Sequence, residues 1–300
     1  MSTGVRAVTQ PRVVARRSTA STIACTAGSS IGAVSRASAE RRVEVKGLSK
    51  SFQFAKTTIE AVRDVSFDVR RGEFVALLGP SGSGKSTVLN MIASLIRPTG
   101  GEILIDGKRV VPGKATPDVG YVFQRDTLFP WRTVGDNIGY GLELSGVPAQ
   151  ERKERIAECV AQAGLKGFEN AYPSALSGGM RQRAALMRTL IVEPQILLMD
   201  EPFGALDTHT KIDMHEVLLR IWEREQQTVL FVTHDLGEAL TLADRIILFS
   251  ARPGRIKDMF TVDFDRPRDA VKVRETPHYA ELFQHIWHSL GEEFVKGRSA

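Results

Sequence analysis

Hydrophobic positions follow three periodicities along the chain, and each predicts a different element. From Val43 onward apolar and polar residues alternate (Val43, Val45; Val65, Phe67, Val69), as in strands with one buried face. The segment Glu102-Ile103-Leu104-Ile105-Asp106-Gly107 closes on a turn dipeptide and predicts an antiparallel hairpin. Short unbroken apolar runs occur at residues 74–78, 196–199, 229–232 and 246–249. Such runs, separated by helical stretches, predict a parallel sheet buried on both faces. Helical spacing is expected over residues 87–96 and through much of 134–189, with polar 150–159 as a solvated face. Residues 276–294 place Leu282, Phe283, Ile286, Trp287 and Leu290 on one helical face, a packing stripe. The expected fold class is α/β.

Composition adds little until it is mapped along the chain. At 300 residues, 42% hydrophobic and 25% charged, the proportions are those of an ordinary globular protein. No run approaches the roughly 18 apolar residues of a membrane-spanning helix. Residues 1–39 hold five of the 40 basic side chains (Arg6, Arg12, Arg16, Arg17, Arg36) and none of the 35 acids. The rest of the chain is therefore charge-balanced, and no nucleic-acid partner is expected. Residues 1–40 read as a disordered basic tail. The lack of acids in residues 1–39 also resembles an organellar transit peptide, with a plain extension or an early start as the alternatives. Cys25 and Cys159 are far apart and fit neither a disulfide framework nor metal-ligand spacing.

The chemistry begins after the first apolar run. Gly79-Pro80-Ser81-Gly82-Ser83-Gly84-Lys85-Ser86, followed by Thr87, matches the phosphate-binding loop in full, between a strand and a helix. Glycines let backbone N–H groups turn toward an anion, and the helix N-terminus adds positive potential. Lys85 would reach the outer phosphates and Ser86 would ligate Mg2+. The run at 196–199 ends in Asp200-Glu201, and ligands of parallel sheets sit beyond the carboxyl ends of strands. Asp200 then suits the magnesium shell and Glu201 a general base for the attacking water. A third strand ends at Thr233-His234-Asp235, which makes His234 a phosphate contact. Leu176-Ser177-Gly178-Gly179-Met180-Arg181-Gln182-Arg183 supplies a Ser N-cap and a flexible helix start, a second anion site.

With the phosphate loop and the Asp-Glu pair, that last segment resembles the signature motif of ATP-binding cassette (ABC) ATPases, over about residues 41–250. Gln124 in Val122-Phe123-Gln124 is similar to the family's Q-loop, Asp207 in Gly204-Ala205-Leu206-Asp207 to its D-loop, and His234 to its switch histidine. The resemblance implies a P-loop NTPase core, RecA-like, with an antiparallel β subdomain and a helical signature subdomain. Residues 251–300 would be a strand and helix packed on that cassette. It implies a head-to-tail homodimer with two ATP molecules, each between Gly79–Thr87 of one subunit and Ser177–Gly179 of the other. Gln124 would sense Mg2+ and the γ-phosphate. Phe52 matches the aromatic that stacks on adenine, with Phe54 close by.

The run Gln124-Arg125-Asp126-Thr127-Leu128-Phe129-Pro130-Trp131-Arg132-Thr133 and Ala251-Arg252-Pro253-Gly254-Arg255-Ile256 resemble the nitrate, sulfonate and taurine importer branch. That branch implies permease subunits, a solute-binding protein, and a peripheral place on the cytoplasmic face of the inner membrane. The rival is a soluble ABC ATPase acting on nucleic acid or ribosomes, which usually carries two cassettes or a long coiled-coil insertion. A nucleotide-dependent kinase would leave the Ser-Gly-Gly segment without a role.

Overall fold

The computed structural model describes residues 40–54, 57–114, 116 and 118–298. The expectations for residues 1–39 and for the Phe54 side chain lie outside the described residues. The chain opens with β1 (Arg41–Phe54), β2 (Thr57–Arg70) and β3 (Phe74–Leu78), then α1 (Lys85–Ile92). Next come β4 (Gly100–Ile105), β5 (Lys108–Arg109) and β6 (Val119–Val122). Four helices follow: α2 (Val134–Ile138), α3 (Tyr140–Leu144), α4 (Ala149–Gln162) and α5 (Gly178–Leu190). The remainder alternates as β7 (Ile196–Asp200), α6 (Thr208–Glu225), β8 (Thr228–Thr233), α7 (Leu236–Leu242) and β9 (Arg245–Phe249). It ends in β10 (Ile256–Thr261) and α8 (Pro277–Arg298).

Two sheets result. An antiparallel sheet has the order β2-β1-β4-β5, and a six-stranded sheet the order β10-β9-β3-β8-β7-β6. In the second, β9, β3, β8, β7 and β6 run parallel and β10 joins β9 antiparallel at the edge. The alternation of β3 shows why its apolar run is unbroken. Phe74, Ala76 and Leu78 face a core shared with α5, α6, α7 and α8, whereas Val75 and Leu77 face a second core shared with α1 and the antiparallel sheet. Both faces are dry, so every position is apolar.

Two helical expectations need correction. The helix expected over residues 87–96 runs from Lys85 to Ile92. It stops because Ser94 is left-handed (φ 64°) and its hydroxyl, a single donor, is shared between the Val111 and Lys114 carbonyls, both at 2.8 Å. On α8, Ile286 and Leu290 are buried, but Trp287 is 54% exposed and lies outside the packing stripe. Its ring instead stacks on Phe283, 6.0 Å between centroids.

Candidate active site

The strand order places the site. Along the carboxyl edge of the parallel strands, β3, β8, β7 and β6 are consecutive neighbours. They deliver in turn the phosphate loop, His234, the Asp200-Glu201 pair and Gln124. Residues up to 155 positions apart in sequence are thereby set side by side, as ligand sites of open α/β sheets are.

The phosphate loop folds around its own lysine. Lys85 is 4% exposed, and its ammonium donates to the carbonyls of Gly79 and Pro80, both at 2.8 Å, and to Ser83 Oγ at 3.1 Å. Burial lowers its pKa to about 8, a loss that the charges of Glu201 and Asp200 partly restore. Gly84 precedes α1 at φ 86°, where a Cβ would stand 2.6 Å from Val62 Cγ2. Only glycine fits there. Among the described residues no side chain caps α1, which leaves its first N–H groups available to an anion.

Ser86 Oγ donates to Asp200 Oδ1 at 2.7 Å. Asp200 is nearly buried, and desolvation raises its pKa, opposed by the Ser86 hydrogen bond. Glu201 follows in a left-handed conformation (φ 46°), its N–H held by the Val232 carbonyl at 2.9 Å. A non-glycine residue there is strained, and such strain gathers at sites whose surroundings over-determine it. Glu201 Oε2 accepts from Gln124 Nε2 at 3.1 Å and lies 3.2 Å from His234 Nδ1.

The other sequence candidates lie apart from this cluster. Ser177 caps α5, its hydroxyl accepting from the Met180 N–H at 3.3 Å, and Ser177 and Gly178 are exposed. Among the described residues no hydrogen bond or ion pair joins Ser177, Gly178 or Gly179 to the phosphate loop. Asp207 caps α6 by accepting from the Thr210 N–H and hydroxyl, which lowers its pKa. Phe52 is half-buried against the core beneath the antiparallel sheet, with Lys50 Nζ 4.9 Å from its ring centre.

Sequence reading missed the residues that link these parts. Tyr121 on β6 donates to Asn90 Oδ1 at 2.9 Å, and burial beside the Asp200 charge raises its pKa. Arg181 on α5 pairs with Asp126 at 2.8 Å, joining the Ser-Gly-Gly helix to the segment after Gln124. Both charges sat in quoted motifs, but a pairing across 55 positions leaves no local signal.

A strand, glycine loop and helix, with acids at the end of β7 two strands away in the same parallel sheet, define a P-loop nucleoside triphosphatase. Residues 62–204 match the family model described as ABC transporter. An uncharacterized ABC transporter ATP-binding protein of Methanocaldococcus jannaschii is 45% identical over 256 residues, 85% of this chain and 93% of that protein. The aliphatic sulfonates import ATP-binding protein SsuB of Bacillus cereus is 41% identical over 255 residues, 85% of this chain and 96% of the relative. The nitrate import ATP-binding protein NrtD of Synechocystis is 43% identical over 250 residues, 81% and 93% of the two. A dimeric solved structure, the ATP-binding cassette MJ0796 in a post-hydrolysis state with ADP and Pi, aligns with TM-score 0.68 at 34% identity. It covers 74% of this chain and all of that one. This chain belongs to the ATP-binding proteins of ABC transporters and is an ABC-type ATPase that binds ATP.

Proposed function

We propose that the chain is the ATP-hydrolysing subunit of an importer of the nitrate, sulfonate and taurine type, working as a head-to-tail homodimer on separate permease subunits. The observation that carries the reading is the cluster at the strand ends: Ser86 on Asp200 at 2.7 Å, and Glu201 within reach of both Gln124 and His234. Gly79, Pro80, Ser81, Gly82, Ser83, Gly84 and Thr87 wrap the phosphates, Lys85 neutralises them, and Phe52 stacks on adenine. Glu201 takes a proton from the attacking water, and His234 and Gln124 orient the γ-phosphate and that water. Ser177 and Gly178, exposed at the start of α5, and the half-buried Gly179 close over the ATP of the other subunit, with Asp207 beside them.

Ser86, Asp200 and Gln124 would hold Mg2+. The donors fit: a hydroxyl and a carboxylate already converge, and both are hard oxygens. Among the described residues no three His, Cys, Asp or Glu gather around one point. A cation would therefore take its remaining ligands from nucleotide and water, as magnesium does at phosphate sites. When bound it would neutralise charge on the β- and γ-oxygens.

The permease-facing surface would be the segment after Gln124. Trp131 is 72% exposed, on a cluster with Phe129 (5.6 Å) whose ring also meets Tyr140 (4.8 Å). An exposed tryptophan on a rigid aromatic base is the anchor type found at interfaces. Among the described residues no helix is long and apolar enough to cross a membrane. The proposed place is therefore peripheral, on the cytoplasmic face, with a solute-binding protein in the same system. A soluble cassette acting on nucleic acid or ribosomes finds no support among these relatives, two of which are named for sulfonate and nitrate import. Co-purification of the tagged chain with an integral-membrane permease, and solute uptake that stops on its deletion, tests the reading. A stable chain that binds no permease in its own membranes would overturn it.

A further inference from the structure

The outside of the phosphate loop is braced at three points, and two of the braces come from the end of β9 and the turn after it. A Cβ on Gly79 would stand 2.8 Å from the Phe249 carbonyl oxygen. A Cβ on Gly84 would stand 2.7 Å from the Ala61 carbonyl oxygen. The tightest contact belongs to Gly254, where a Cβ would overlap the Ser83 carbonyl oxygen outright and lie 3.0 Å from its carbon.

Gly254 is fixed from both sides. Its N–H donates to the Ala61 carbonyl at 3.0 Å, and its own carbonyl accepts from the Arg63 N–H at 2.9 Å. Within the turn, Ser250 N–H donates to the Arg255 carbonyl at 2.9 Å and Ser250 Oγ accepts from the Arg255 N–H at 3.1 Å. The turn is then tied to α8: the Ala251 N–H donates to Glu293 Oε2 at 3.0 Å, and Glu293 is 3% exposed. Glu293 Oε1 also lies 3.3 Å from Lys257 Nζ on β10. On the inner side Ser83 is fully buried and its hydroxyl accepts from Lys85. A continuous path of contacts thus runs from α8 through Ala251, Gly254 and Ser83 to the lysine of the phosphate loop.

We propose that the turn over residues 250–255, locked by Glu293, is a positioning element of the nucleotide site that sets the shape of the phosphate loop. The proposal rests on that loop holding ATP. A glycine-rich loop has little stiffness of its own, and donors aimed at a phosphate are effective only when held in place beforehand. Bracing from outside supplies that rigidity, and Gly254 permits the approach because any side chain there would displace Ser83. The consequence falls on nucleotide affinity, because Glu201, His234 and Gln124 sit on other strand ends and stay where they are.

The test uses the full chain, a fluorescent ADP analogue with Mg2+, and steady-state ATPase rates. Gly254→Ala should raise both the nucleotide Kd and the KM for ATP by about tenfold, with kcat within about threefold. Glu293→Ala should shift Kd in the same direction. Glu293→Gln, whose amide oxygen still accepts from the Ala251 N–H, should restore affinity to near wild type. Leu290→Ala, equally buried on α8, should lower thermal stability and leave Kd alone. In the wild-type chain, saturating ADP should slow hydrogen exchange across residues 251–256 along with the loop, a readout that stands even where a variant fails to fold. Unchanged affinity in a folded Gly254→Ala or Glu293→Ala protein, or unchanged exchange in the wild type, overturns the proposal. A wild-type chain that binds no nucleotide would instead overturn the reading of the loop itself.

Discussion

Glu201 Oε2 and His234 Nδ1 lie 3.2 Å apart, across the ends of two neighbouring strands. Gln124 donates to the same carboxylate oxygen from the far side at 3.1 Å, so the acid is aimed by groups from both flanking strands. Replacing Glu201 by Gln keeps its size but removes most of its basicity. Glu201→Gln should therefore lower the ATPase rate by about 10²–10⁴-fold while ATP still binds. With turnover blocked, ATP should keep two subunits together, so sedimentation with ATP and Mg2+ should show a dimer. Near wild-type turnover in a monomeric Glu201→Gln protein would remove both the base assignment and the sandwich dimer.

Lys85 gives the site a pH dependence of definite sign. Its pKa is lowered to about 8 by burial, and polyphosphate bound against it raises the pKa again. Binding then takes up a proton above pH 8, so affinity is greatest below that pH and falls as pH climbs toward the value in the complex. The slope should approach about tenfold per pH unit in that window. In the free protein the sign is opposite: between the lowered and the unfolded value the unfolded chain binds more protons, so stability rises with pH. Titrating nucleotide Kd from pH 7 to 9.5 measures the first effect. A flat profile would show that Lys85 does not meet the phosphates, and Lys85→Ala should weaken binding at every pH.

The strands that carry this site were legible because they are dry on both faces, which leaves no polar residue to interrupt the apolar run. β6 was not, although it carries Gln124. Its sequence Val-Gly-Tyr-Val is broken by Gly120, where a Cβ would stand 2.7 Å from Pro194 Cγ, and by Tyr121, which is tied to Asn90. Packing demands the one and a long-range hydrogen bond the other, and neither follows a local period. The order of the strands was equally hidden. β8 lies between β3 and β7 only because the crossovers put it there, and that order alone brings His234 against Glu201. The Trp287 error has a simpler cause. Helical spacing names a face, but how much of that face the neighbouring elements cover is a tertiary fact.

Trp131 separates docking from catalysis. It is 72% exposed, and its ring lies against Phe129. Trp131→Ala should weaken association with a permease, or transport, by roughly 2 kcal/mol or more, as truncating an interface anchor does. Nucleotide affinity should stay within about twofold of wild type, since no contact to substrate is removed. Pull-down from membranes beside nucleotide titration of the same variant decides the matter, and an equal loss in both would mark the segment as a support of the site.

His215 is a buried ring on α6. It is 1% exposed, neither nitrogen has a hydrogen-bond partner among the described residues, and its ring meets Phe203 edge-on at 4.8 Å. Burial, reinforced by the Arg274 charge, lowers its pKa to about 3. The unfolded chain protonates this side chain near its ordinary value of 6.5, whereas the folded chain does not until far lower pH. Unfolded protein therefore binds the extra proton between those values, and stability falls as pH drops through the window. At pH 5 the loss amounts to about 2 kcal/mol at most. His215→Phe keeps a ring against Phe203, removes both unpaired nitrogens and cannot titrate. Denaturant unfolding should find the variant more stable than wild type, with a margin that widens from pH 7.5 to pH 5. A margin that stays constant with pH would mean that His215 does not resist protonation in the folded chain, and a variant less stable at both values would mean that its nitrogens are satisfied, by water or by a shift of α6.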